Sequence, residues 1–150
     1  EVARNTDWGV LMLFGGGIAL SNLLQSSGAS EAIGQQLATT FVLAHPLVVI
    51  FAVATFIIFL TEVTSNTAAA ALLVPIFASV ATQIGLPKEV MVFVIGIGAS
   101  CAFMLPVATP PNAIVFGTGL IQQKEMMRVG FLLNILCVVL VALWAYALFV

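Results

Sequence analysis

The sequence predicts an all-α, polytopic membrane protein, in which transmembrane helices are combined with a re-entrant helical hairpin and a discontinuous helix. Three observations lead there. The chain is 62% hydrophobic and 7% charged, with a mean hydropathy of +1.22, which excludes a water-soluble globular domain and a disordered one. Uncharged runs at Trp8–Ser30, Val63–Pro87, Val90–Gln123 and Val129–Val150 each reach the ~20 residues needed to cross ~30 Å of hydrocarbon. Short polar breaks interrupt the apolar pattern at Thr61-Glu62-Val63-Thr64-Ser65-Asn66-Thr67 and at Pro106-Val107-Ala108-Thr109-Pro110-Pro111-Asn112. Irregular backbone at membrane depth persists only where protein or a water-filled cavity satisfies its N–H and C=O groups. The breaks therefore point to one shared polar site inside the bilayer.

The first segment, 1–26, reads as a transmembrane helix over Trp8–Leu24. Its triplet Gly15-Gly16-Gly17 allows a neighbouring backbone to come close, and it lacks the GxxxxGK[ST] or GxGxxG spacing of a phosphate loop. Glu1–Asp7 is mixed in charge and no small-residue cleavage site follows, so a signal peptide is not expected. The chain reads as a piece of a larger protein. Segment 27–45 carries Glu31, Gln35 and Gln36, with Ala32, Ile33, Leu37 and Phe41 near one helical face, the pattern of a helix lying in the interface. His45, the sole histidine, is expected at that boundary.

Segment 46–82 holds the first break between the arms Pro46–Leu60 and Ala68–Thr82. Each arm has about fifteen residues, or roughly 22 Å of helix at ~1.5 Å per residue, short of the bilayer core. Two short arms joined by a polar tip describe a re-entrant hairpin. A pair of short tilted spans, or one kinked helix, is the alternative. Segment 88–123 holds the second break. There Val90–Leu105 and Asn112–Gln123 are both short, and Pro106, Pro110 and Pro111 cannot donate backbone hydrogen bonds. A discontinuous transmembrane helix follows. Segment 124–150 is a final span, with Trp144 and Tyr146 suited to an interface. Lys124 and Arg128 place the preceding connection in the cytoplasm by the positive-inside rule, so the hairpin would enter from outside.

The residues of the breaks are oxygen-rich. Thr61, Thr64, Ser65 and Thr67 bring hydroxyls, Asn66 an amide and Glu62 a carboxylate, while Thr109 and Asn112 and free carbonyls come from the second break. Oxygen ligands suit a hard cation such as Na⁺, and half-helix starts at Ala68 and Asn112 suit an anion. Side-chain cross-links between helices and a simple proline kink are the structural alternatives. An intramembrane Glu62 is a candidate site residue in its own right. Cys101 and Cys137 lack CxxC spacing and read as buried free thiols. Four basic and six acidic residues leave no footprint for nucleic acid. An intramembrane enzyme would need a nucleophile with a base. Neither Ser65 nor Ser100 has one in sight, so no catalytic residue is expected. A channel could also use a re-entrant loop with oxygen ligands.

The stretch Ala99-Ser100-Cys101-Ala102-Phe103-Met104-Leu105-Pro106-Val107-Ala108-Thr109-Pro110-Pro111-Asn112-Ala113-Ile114-Val115 resembles the signature of the divalent anion/sodium symporter family, which includes sodium-coupled di- and tricarboxylate transporters. Thr61-Glu62 followed by Ser65-Asn66-Thr67 resembles that family's second Ser-Asn-Thr motif. The similarity runs from about Trp8 to the end and covers a C-terminal half. It implies one half of an inverted-repeat elevator transporter, working as a homodimer with an N-terminal half that carries the partner motif. It also implies substrate contacts from Ser65, Asn66, Thr67 and Thr109, and a Na⁺ held by Thr61, Asn66 and the carbonyls of Thr64 and Ala108. Thr64 stands where a smaller residue such as Ala is expected, a change that a carbonyl ligand tolerates. The implied function is Na⁺-coupled symport of a succinate-like dicarboxylate across a bacterial inner membrane. A sulfate or other divalent-anion carrier or exchanger of the same fold is the alternative.

Overall fold

The computed structural model describes residues 8–41 and 44–150; the reading of 1–7 lies outside them. Among the described residues the chain is wholly helical, in the order α1 (Trp8–Ser26), α2 (Ala29–Phe41), α3 (Pro46–Leu60), α4 (Asn66–Gln83), α5 (Lys88–Gly98), α6 (Pro110–Gly117) and α7 (Gln123–Phe149). Local chemistry sets most of these boundaries. Pro46 opens α3 because its missing N–H and fixed φ cost nothing in a first turn, and the His45 ring caps it, Nδ1 accepting from Leu47 N at 3.2 Å. Ser65 caps α4 in the same way, its Oγ accepting from Ala68 N at 3.3 Å. Gly85, at φ +77°, turns the chain out of α4.

The helix starts differ from expectation at both breaks. The second arm begins at Asn66 rather than Ala68, since the Ser65 cap stabilises the turn before it. With 18 residues, α4 becomes long and apolar enough to cross a membrane, as is α7 with 27; the 15 residues of α3 remain short. The short length expected of the second arm is thus corrected. The second half-helix begins at Pro110 rather than Asn112, because both prolines fit the first turn behind an extended Thr109. The segment 99–109 between α5 and α6 is not helical.

Helix α3 packs against α5 and α7, with its Val49, Ile50, Val53, Ala54, Ile57 and Ile58 buried. Those helices bring Val90, Met91, Val94 and Ile95, and Val138, Val141, Ala142 and Ala145. The two arms touch through side chains, with Phe56 and Phe77 ring centroids 6.2 Å apart, while α5 packs on both. Lipid offers apolar groups no reason to avoid it, so close fit rather than exclusion from water holds such helices together. Small residues mark the contacts. A Cβ on Gly98 would sit 2.7 Å from Ile57 Cγ2, and one on Gly17 would meet Ala71 Cβ at 3.0 Å. Of the glycine triplet, Gly15 and Gly16 have no such neighbour.

Helix α2 buries Ser30, Gly34 and Ala38, with Gly34 against Ser79 of α4, whereas Ala32 and Ile33 stay exposed. The packed stripe is made of small residues that hydropathy alone does not single out. On α7 the outward face is oily: Leu132 is 63% exposed and Trp144 65%. Together with Leu136, Leu140 and Leu143 it forms an apolar face that suits hydrocarbon and not water.

The close approach at Gly98 makes a prediction. In the full-length protein, Gly98→Val should destabilise by about 1–3 kcal/mol through overpacking. Gly96→Ala, where an added Cβ meets nothing within 4 Å, should leave the melting temperature in detergent unchanged.

Candidate functional site

The two breaks meet through one side chain. Glu62, in the tip between α3 and α4, is 4% exposed. Its Oε1 accepts from Phe103 N at 2.8 Å and Met104 N at 2.9 Å, and its Oε2 from Leu105 N at 3.0 Å. A fourth donor comes from α7, where Asn134 Nδ2 lies 2.6 Å from Oε1. The three amides belong to the non-helical segment after α5, where no preceding turn supplies acceptors. A carboxylate with its lone pairs spread over two oxygens can take several N–H donors at once, and such charge-assisted bonds are the strong ones. Glu62 is therefore committed to the backbone of the second break.

Two carbonyls of that segment are served by Asn112, whose Nδ2 donates to Ala102 O and Leu105 O, both at 3.0 Å. Thr109 Oγ1 accepts from Asn112 N at 3.4 Å as the cap of α6. Helix α7 closes the arrangement from behind. Gly130 sits against the backbone of Phe103 and Met104, and a Cβ there would fall 2.6 Å from Met104 Cα.

Hydroxyl bookkeeping sorts the expected site residues into two kinds. A hydroxyl has one hydrogen to give and two lone pairs to receive with. Thr61 Oγ1, fully buried, donates to the helix carbonyls of Ile57 and Ile58 at 3.0 and 3.1 Å. Thr64 Oγ1 donates to Leu60 O at 2.9 Å. Both have spent their hydrogen and keep lone pairs, which suits a cation. Ser65 Oγ and Thr109 Oγ1 instead accept an N–H and keep their hydrogen to donate, which suits a carboxylate. Asn66 Oδ1 is buried with no hydrogen-bond partner among the described residues. Among the described residues no donor reaches the carbonyls of Thr64 or Ala108.

The two helix starts are not equivalent anion sites. In α6 the first two positions are Pro110 and Pro111, without N–H groups, and the third N–H is taken by Thr109. In α4 the N–H groups of Asn66 and Thr67 have no acceptor among the described residues, so the positive end of that dipole carries usable donors. The expectation that both starts offer free N–H groups is corrected: the prolines and the Thr109 cap remove those of α6. Asn66 and Thr67 also open onto a concavity of about 440 Å³ between α1, α4 and α5, which Ser21 lines from α1 and Ser100 from the non-helical segment after α5. The other expected residues do not line it.

A family model described as the sodium:sulfate symporter transmembrane region matches residues 1–150. The chain belongs to that family. It is 58% identical over 146 residues, 97% of its length, to an uncharacterized transporter of Haemophilus influenzae, of which it covers 32%. It is 45% identical over 148 residues to the sodium-dependent dicarboxylate transporter SdcS of Staphylococcus saprophyticus, covering 99% of this chain and 28% of that protein. An uncharacterized transporter of Methanocaldococcus jannaschii, MJ0672, is 39% identical over 142 residues, 95% of this chain and 32% of the relative. The chain thus spans about a third of the length of the curated relatives it matches. Its relatives are named as transporters rather than enzymes, and a membrane protein is the class that the family and the apolar helices give.

Two residues of this arrangement escape a reading of the sequence, Asn134 and Gly130. The available signal is faint. Asn134 is the lone amide in the apolar run Val129–Val150, and Gly130 lies one helical turn before it, on the same face.

The caps lend themselves to test. Thr109→Ala in the full-length protein should cost about 1 kcal/mol by uncapping α6. Thr109→Ser, which keeps the oxygen, should restore the melting temperature.

Proposed function

We propose that the full-length protein is a secondary active transporter that carries a succinate-like dicarboxylate together with Na⁺ across a bacterial inner membrane. The observation that carries this reading is the sorting of hydroxyls at the breaks into lone-pair donors and hydrogen donors. Thr61, Asn66 and the carbonyls of Thr64 and Ala108 would hold the Na⁺. Ser65, Asn66, Thr67 and Thr109 would hold a substrate carboxylate, helped by the two free N–H groups at the start of α4. Of these, Thr61 offers the cation a lone pair within a fully buried environment, and Asn66 Oδ1 is an acceptor that the fold leaves without a donor. A dianion is costly to take out of water, and a cation bound beside it offsets part of that cost. Coupling follows from that offset, because neither ion enters the site as readily alone.

In this reading α3, the tip and α4 form the re-entrant hairpin, and α5 to α6 form the discontinuous helix, which runs through the unwound segment 99–109. α1 and α7 span the membrane, and α2 lies in the interface. Broken helices that present half-helix N-termini to an anion and unwound carbonyls to a cation are the way midplane transporter sites are built. The N-terminal half would supply the matching motif and the rest of the site, and pairs of such subunits would move their sites by an elevator motion. The name of the Staphylococcus relative supports sodium and dicarboxylate as the pair. The family description, sodium:sulfate symporter, supports a second reading in which the anion is sulfate.

Uptake of labelled succinate by the full-length protein in membrane vesicles tests the reading. Unaltered protein should need a sodium gradient, and excess sulfate should compete weakly. Asn66→Ala should abolish sodium-dependent uptake at matched membrane abundance. Thr64→Ala, which keeps the carbonyl, should retain it. Wild-type uptake by the Asn66 variant would sink the assignment, and stronger competition by sulfate than by unlabelled succinate would move it to the sulfate reading.

A further inference from the structure

The buried amide of Asn134 stands apart from every residue assigned above. It is fully buried in the middle of α7. Its Nδ2 donates to Glu62 Oε1, and its Oδ1 is buried with no partner among the described residues. The unmet Oδ1 costs stability, while the Nδ2 bond offsets part of the cost of burying the Glu62 carboxylate. The orientation of the amide is fixed by its neighbour, since turning it over would set Oδ1 against the carboxylate. Gly130, one turn earlier, lets the backbone of Phe103 and Met104 lie directly on α7. Helix α7 thus touches both ends of the same set of bonds: the carboxylate and the amides that it holds.

We propose that Asn134 is a positioning residue for ion binding, acting through Glu62. It fixes the rotamer of Glu62, which fixes the amides of residues 103–105. Those amides anchor the segment that ends in the Ala108 carbonyl and the Thr109 hydroxyl. Asn134 touches neither ion nor anion. Its effect reaches them through a chain of four named groups, in the manner of outer-shell partners that orient the ligands of a metal. This inference rests on the transport reading proposed above, because it assigns Asn134 to the Na⁺ site of that reading.

The test is a sodium titration of succinate uptake in vesicles carrying the full-length protein, at matched membrane abundance. Asn134→Leu fills the same space without a donor. It should raise the sodium concentration for half-maximal uptake by about tenfold or more, the usual effect of losing an outer-shell partner. In a Glu62→Gln background the same substitution should add little, because its route to the ion is already broken. Should Asn134→Leu not reach the membrane, Asn134→Ser, too short to reach Glu62, should shift the titration in the same direction. A merely structural Asn134 would lower abundance or maximal rate and leave half-saturation at the wild-type value, which would overturn the inference. Equal shifts from Asn134→Leu with and without Glu62 would overturn it too. Uptake by unaltered protein that needs no sodium would overturn the transport reading itself, and this inference with it.

Discussion

The structure depends on how a non-helical stretch of backbone is kept in place between two helices, outside the helical hydrogen-bond ladder. Residues 99–109 leave the helical ladder, and a buried N–H or C=O left without a partner costs free energy comparable to a lost hydrogen bond. The first three donors, of Ala99, Ser100 and Cys101, return to carbonyls of α5, and one carboxylate answers the donors at the middle of the segment. Glu62 takes three consecutive amides of the segment and the Asn134 amide besides, while Asn112 takes two of its carbonyls. The same bonds compensate the carboxylate, which would otherwise be a poorly solvated charge. Backbone and side chain thus make each other tolerable, and neither break would keep its shape without the other.

This pairing has a consequence for the chemistry. With Glu62 occupied by amides, the proposed Na⁺ site is left to the neutral oxygens of the breaks. Thr61 and Thr64 give up their hydrogens to helix carbonyls, while Ser65 and Thr109 use theirs on nothing within the described residues. Prolines at the start of α6 remove N–H groups that would otherwise compete for an anion, so the donors converge on the start of α4 instead. Electrostatic division of this kind needs no formal charge in the site.

Much of this was legible in the residues, and what was not has a physical reason. Helical class and the placement of the breaks follow from hydropathy and from Pro, Ser and Thr, which act locally. The starts of α4 and α6 moved by two residues because a cap at Ser65 or Thr109 outweighs the weak signal of the residues after it. The free N–H groups expected at α6 vanish once its prolines are seen inside the first turn. Glu62 stood out as a lone acid in an apolar setting, yet its partners lie 41 to 72 residues away in sequence, and no periodicity reports such a pairing. Asn134 and Gly130 owe their roles entirely to it. The small-residue stripe of α2 was hidden for a related reason: in lipid, packing rewards fit, and hydropathy does not measure fit.

The central claim is that Glu62 serves the backbone while neutral oxygens from both breaks serve the ions. An experimental structure of the full-length protein in sodium and succinate tests it most directly. The account predicts a cation among Thr61, Asn66 and the carbonyls of Thr64 and Ala108, a carboxylate on Ser65–Thr67 and Thr109, and Glu62 still on the amides of residues 103–105. A cation coordinated by the Glu62 carboxylate, with those amides released, would contradict it.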